Sequence, residues 1–330
     1  MNINFNFFKK LLIVLLFNSI PSIGYAIDTS RPGPDNIPTE VKIRLYVLDV
    51  DEITDAQQSF KANIFIQAEW KDQRLVQSNK TTKYNLNEIW NPNLQILNRQ
   101  KTFKSLPDIV EVKTDGTVTY RQRIIGSFSQ PLDLHNFPMD EQNIQFKVVS
   151  VGNSPNDVKL SENSSGIADI FSFPNWYIKG WNLKIVDFKF LPDVPSRVGI
   201  IFTITAKRYE HFYIFKFIVP LLLIVFMSWI VFWIDPTDYP TQISVSITSM
   251  LTLIAYQYLV GSSLPQVPYL TRLDKLMFLS TALVFASLVE VTVTSVLTKK
   301  NNVELARSID NYCRYIFPAL FIIILALPFI

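Results

Sequence analysis

Four long apolar runs after residue 211 constrain this chain more than any other feature. Residues 212–234 are nearly all apolar, interrupted by Lys216, Pro220 and Ser228, and residues 243–260 are apolar but marked by serine and threonine. Residues 276–297 carry one carboxylate, Glu290, and the last run extends from about residue 312 to residue 330. Each supplies close to the ~20 residues that a helix needs to cross about 30 Å of hydrocarbon. The composition agrees, since 18% of the 330 residues are charged and 48% hydrophobic, against about a quarter charged in ordinary soluble domains. Lys299, Lys300 and Arg307 join the third run to the fourth, and such a basic cluster belongs on the cytoplasmic face. Four crossings then place both ends of the membrane portion on the exported side.

The N-terminus points the same way. Lys9 and Lys10 precede a short apolar run, residues 11–17, and Gly24-Tyr25-Ala26 puts small residues at the −3 and −1 positions of a cleavage site. Residues 1–26 therefore read as a secretory signal. Residues 27–210 read as β-structure. Phe60, Ala62, Ile64, Ile66, Ala68 and Trp70 alternate with mostly polar neighbours, as do Val41, Ile43, Leu45 and Val47, the period of a strand with one buried face. Asp115-Gly116 between two such runs predicts a hairpin. The expected fold is an all-β, immunoglobulin-like sandwich over 27–210, followed by an all-α four-helix transmembrane domain over 211–330.

The same residues exclude several chemistries. The nine glycines are never closer than nine positions apart, so no glycine-rich phosphate loop exists. One cysteine, Cys313, and two histidines, His135 and His211, leave no metal framework, haem attachment or disulfide. Thirty-one basic against 28 acidic residues make no case for nucleic acid. No GxSxG elbow occurs, and Asp51-Glu52 reads as solvated loop charge rather than a catalytic dyad. No enzyme, metal or cofactor is expected, and the β-domain reads as a sensor or binding module.

In the second apolar run, Ser244, Thr248, Leu251, Ala255 and Tyr258 fall at steps of 4, 3, 4 and 3 and share one helical stripe. Hydroxyls within hydrocarbon want a neighbouring helix or water. The stripe thus reads either as small-residue helix packing or as a pore lining, with hydroxyl rings below a leucine gate. Periodicity does not choose between them.

Motifs along the chain carry a resemblance. Trp70-Lys71-Asp72-Gln73-Arg74-Leu75, Trp90-Asn91-Pro92, Pro131-Leu132-Asp133 with Phe137-Pro138-Met139-Asp140, Arg208 ahead of Pro220, and Leu264-Pro265-Gln266-Val267-Pro268-Tyr269 occur in order. Together they resemble the pentameric ligand-gated ion channels, the Cys-loop receptor superfamily. The two naming cysteines would fall at Gln130 and Ile144, and their absence is the prokaryotic pattern. Gly126-Ser127-Phe128-Ser129, Trp176-Tyr177-Ile178-Lys179-Gly180 and the stretch from Leu251-Thr252 to Ala255-Tyr256 are similar to the amine-gated ELIC type.

The resemblance implies a homopentamer in a bacterial inner membrane with a periplasmic sensor, in contact with membrane lipid and opened by a small-molecule agonist or protons. It assigns Ser244, Thr248, Leu251, Ala255 and Tyr258 to the pore, with Leu251 the gate and Tyr258 a second constriction. It assigns coupling to Asp140 and Arg208, expected as an ion pair, beside Pro265 and Pro268. The ligand pocket maps to Phe60, Gln95, Val149, Phe190 and Arg197. Gln95 and Val149 replace carboxylates that hold ammonium groups in amine-gated relatives, so an anionic or neutral aromatic ligand, or pH, is expected rather than a simple amine. Asp235 and Asp238 precede Pro240-Thr241 at the cytoplasmic mouth, and no Lys or Arg occurs from 217 to 271, a pattern expected to attract monovalent cations. Glu290 has two readings, a protonated or hydrogen-bonded packing residue or a part in pH response. The competing class is a β-domain receptor or adhesin anchored by helices that conduct nothing.

Overall fold

The computed structural model describes residues 29–326 apart from 35, 78–79, 174 and 262–266. The signal segment 1–26 and Pro265 lie outside the described residues.

Twelve described strands form two sheets. The larger contains β1 (Thr39–Thr54), β2 (Ser59–Lys71), β3 (Thr82–Asn85), β5 (Arg99–Lys104), β6 (Ile109–Val112), β7 (Thr117–Ser129), β9 (Val158–Glu162) and β10 (Gly166–Ile167). Its main path runs β10-β1-β2-β7-β6-β3, with β5 on β7 and β9 on β1. The smaller runs β11-β12-β8-β4, with β4 at Leu94–Ile96, β8 at Glu141–Ser150, β11 at Trp176–Phe188 and β12 at Arg197–Arg208.

The alternating pattern explains the register. The even-numbered residues Phe60 to Trp70 of β2 are all buried, while Lys61, Asn63, Phe65, Gln67 and Glu69 on the other face are not. The β6–β7 hairpin turns at Asp115-Gly116 as its sequence predicts. Gly116 has φ +80° and sits where a Cβ would come within 2.6 Å of the Asp72 carbonyl, so this turn requires glycine.

The sequence motifs near this turn are clamps. Arg74 forks onto Asp72 through Nε–Oδ1 (3.0 Å) and Nη2–Oδ2 (2.8 Å). Asp72 also accepts the Arg74 backbone N–H, and Trp70 meets Trp90 edge to face at 5.9 Å. Phe60, Phe128 and Phe146 form an aromatic cluster between the sheets.

The chain enters the helical domain directly. α1 (Glu210–Trp233) starts two residues after the end of β12. It widens into a π-helical segment at Ile214–Ile218 just before Pro220, where the proline cannot donate to the helix. The Tyr256 hydroxyl donates to the Phe217 carbonyl beside this irregularity. α2 (Tyr239–Gly261) follows a short turn capped by Asp235. α3 (Arg272–Lys299) opens on a capping box of Thr271 and Asp274.

α4 (Val303–Ala326) begins nine residues before the apolar run identified from sequence. Its first turns carry Glu304, Arg307 and Asp310, which a hydropathy window discounts although they extend the same helix. All four helices are long and apolar enough to cross a membrane. Leu132, Leu134 and Phe137, from the β-domain loop after β7, are buried in the same apolar cluster as Leu221 of α1 and Leu273 of α3. The two domains are therefore joined through a common core.

Candidate functional site

The junction is built around one arginine. β12 ends by placing Arg208, 3% exposed, beside Asp140, 1% exposed. Arg208 Nε donates to Asp140 Oδ1 at 2.7 Å and Nη2 to Oδ2 at 3.2 Å. The expected pair is present, with partners that sequence reasoning missed. Nη2 also donates to Asp55 Oδ1 at 3.0 Å and Nη1 to the Tyr213 hydroxyl at 3.1 Å. The guanidinium lies 4.2 Å from the Trp176 ring centroid and 4.9 Å from that of Phe137. Burial opposes its charge, but the two aspartates outweigh that cost and hold its pKa above the ordinary arginine value. Burial raises the Asp55 carboxyl, with Arg208 opposing the shift. Asp55 sits in the turn between β1 and β2, where nothing in its local sequence marks it.

The signature loop then reaches the membrane domain. The Tyr269 hydroxyl accepts the Leu134 N–H at 3.0 Å, and the His135 ring stacks on Tyr269 at 3.9 Å. The carbonyls of His135 and Phe137 accept the N–H groups of Arg272 and Leu273 at the start of α3. Pro268 is exposed one residue before Tyr269, so the contact itself is made by the tyrosine. Glutamines lace the loop that lacks the superfamily disulfide. Gln142 donates to the Asp133 carbonyl at 2.6 Å and to Asp140 at 2.7 Å, and Gln58 accepts the Leu132 N–H. Gln130, at one cysteine position, accepts the Gln145 N–H, and Ile144, at the other, is buried core.

On α2, one face packs inward through Gln242, Ser246, Ser249, Leu253 and Val260. Ser244, Thr248, Leu251, Ala255 and Tyr258 lie on the exposed side of this chain, with Leu251 62% and Tyr258 85% exposed. Small-residue packing therefore falls to Ser246 and Ser249, whereas Ser244 and Thr248 face away from their own bundle. At the mouth, Asp238, Pro240 and Thr241 are exposed. Asp235 is committed elsewhere. It caps Thr237 and pairs with Arg307 at 2.9 Å, and these bonds hold its carboxyl below the usual range. Asp238 forms no ion pair among the described residues.

The assigned ligand pocket requires a correction. Phe60 is 1% exposed and packed between Phe128 and Phe146, so it is sandwich core and cannot touch a ligand. It stands on the inward face of β2 that the alternation from Phe60 to Trp70 marks, so the strand period holds and the pocket position implied by the resemblance does not. The other candidates gather on the smaller sheet. Gln95 pairs with Val149, Val149 with Gly199, and Arg197 with Phe188. The Phe188 ring covers Gly199, where a Cβ would meet it at 2.6 Å, and half-exposed Phe190 stacks on Phe188 at 6.2 Å. Val149 is fully buried in this row, so like Phe60 it offers a ligand no surface. Phe188 is an aromatic neighbour of Phe190 that the sequence reading did not single out. Arg197 forms no ion pair among the described residues.

A β-sandwich sensor docked through a buried arginine onto four membrane-length helices defines a ligand-gated channel subunit. Residues 24–203 match the neurotransmitter-gated ion-channel ligand binding domain, and residues 217–304 match the neurotransmitter-gated ion-channel transmembrane region. The chain belongs to this family of pentameric ligand-gated ion channels, which are not enzymes, and is a membrane protein with an extracellular sensor. It is similar to a proton-gated ion channel of Gloeobacter violaceus, 27% identical over 319 residues, covering 94% of this chain and 88% of the relative. It is also similar to gamma-aminobutyric acid receptor subunit rho-3 of Rattus norvegicus (26% identical) and of Homo sapiens (27%). Those alignments cover 82% and 81% of this chain but only 61% and 60% of the receptor subunits.

Proposed function

We propose that five copies of this chain surround a cation-selective pore lined by α2, opened by a small ligand or protons acting on the β-domain. One observation carries this reading. The α2 helix buries Ser246, Ser249 and Leu253 against its own bundle and leaves Ser244, Thr248, Leu251, Ala255 and Tyr258 uncovered. In a ring, the hydroxyls would hydrate a passing ion and Leu251 would form a dewetting constriction.

Selectivity rests on Asp238. With Asp235 paired to Arg307 and Lys299 held over the Tyr239 ring at 4.9 Å, Asp238 is the acidic group of this turn without an ion pair among the described residues, and α2 itself carries no Lys or Arg. Reversal potentials under a NaCl gradient test this, and reversal near the chloride potential refutes it.

The pocket favours an anionic or neutral aromatic agonist. Its row of Gln95, Val149 and Gly199 contains no carboxylate, while Phe188, Phe190 and Arg197 offer ring faces and a guanidinium. A cationic amine would meet like charge without a counter-ion. Protons remain the alternative stimulus within this reading, in keeping with the proton-gated relative.

A further inference from the structure

The membrane domain contains a polar cluster that the pore does not use. Glu290 of α3 and Asp310 of α4 lie within hydrogen-bonding reach of each other, with the Cys313 thiol beside Glu290. Asp310 is fully buried, and both Glu290 oxygens and Asp310 Oδ1 are buried without a donor. Gln242 of α2, also fully buried, points into the cluster. Its Nε2 donates to Asp310 Oδ2 at 3.2 Å and to the Ile234 carbonyl at 3.0 Å, and its Oε1 has no partner.

No cation compensates these carboxyls by direct contact among the described residues. Arg314 acts on Asp310 only through space, because its Nε donates to the Phe232 carbonyl at 2.7 Å and its guanidinium lies over Trp233. Asp235 adds a further negative charge from the α1–α2 connection, offset by its ion pair with Arg307. Two carboxylates in contact away from water cannot both stay ionised. One proton between them removes the repulsion and supplies the missing donor.

We propose that Glu290 and Asp310 hold one proton between them, forming an intramembrane proton site that clamps α4 to α3 and, through Gln242, to α2. The proton leaves at high pH, two anions are then in contact, and α4 separates from the bundle. Binding of this proton does not depend on the pore assignment, so its test uses no conductance.

The test is infrared spectroscopy of the full chain reconstituted in lipid, as wild type, E290Q and E290Q/D310N. At neutral pH the wild type should show a protonated-carboxyl C=O band that disappears on alkalinisation. That band should be absent from E290Q, where Asp310 has two glutamine amides to accept from, and from the double variant. The melting temperature of the wild type should fall over the same pH range, while that of E290Q/D310N stays flat. If E290Q does not assemble, D310N takes its place, with the same loss of the band expected and its persistence overturning the proposal. A wild-type spectrum without such a band, or with one equally present in the double variant, overturns the proposal.

Discussion

Replacing Arg208 by glutamine gives the sharpest test of how the sensor is tied to the membrane domain. The side chain is 3% exposed and bonds Asp140, Asp55 and the Tyr213 hydroxyl while stacking on Trp176. Removing one member of such a buried pair leaves its partners charged and dry, which costs about 3–5 kcal/mol. The lost ring contact belongs within that figure, since effects in one network do not add. Asp140→Asn is milder, because Arg208 keeps Asp55. In the double variant much of the single-variant penalty has no charge left to act on, so the cycle should give a coupling energy of about 2 kcal/mol.

Two readouts are needed. Thermal unfolding of the assembled protein measures the structural part, and the activation midpoint measures the part that differs between closed and open channels. We expect coupling in both, with midpoints departing from additivity by about tenfold, or about 1.4 kcal/mol. Coupling in unfolding but strictly additive midpoints would reduce the cluster to a structural salt bridge and refute its role in gating.

Three further outcomes follow. Leu251→Ser should raise the resting current about tenfold, equivalent to about 1.4 kcal/mol, by wetting the constriction; an unchanged resting current in patch recordings counts against Leu251 as the gate. Simple primary amines should evoke little or no current, and Arg197→Ala should weaken the response to an aromatic carboxylate about tenfold; robust micromolar amine currents that Phe190→Ala abolishes would overturn the pocket chemistry. Asp55 binds its proton more tightly folded than unfolded, so its contribution to stability is full below the unfolded value of about 3.9 and is lost as pH rises through the raised folded value. Melting curves of the wild type relative to Asp55→Asn should therefore decline across that window, and parallel curves would refute the assignment.

Much of this architecture was legible because it depends on periodicity. The two-residue alternation of β2, the Asp115-Gly116 turn and the apolar length of four helices are each local properties. Sites made from distant segments were less legible. The resemblance implies a pocket role for Phe60, whereas its β2 register sets it between Phe128 and Phe146. Asp235 reads as pore charge in sequence, but Arg307, 72 residues away, pairs with it. Asp310 lies among charges that mask the first turns of α4 in a hydropathy reading, so nothing in the sequence marks it as a neighbour of Glu290. The stack of His135 on Tyr269 joins two loops whose separate sequences hold no trace of the contact.

A planar-bilayer recording of the purified, reconstituted protein tests the channel reading most directly. The account predicts discrete unitary currents, evoked by acid or an aromatic anion, that reverse near the sodium potential and shift toward non-selectivity in Asp238→Asn. A protein that assembles and inserts yet passes no current across a pH ramp and a ligand panel, or whose currents reverse at the chloride potential, would contradict it.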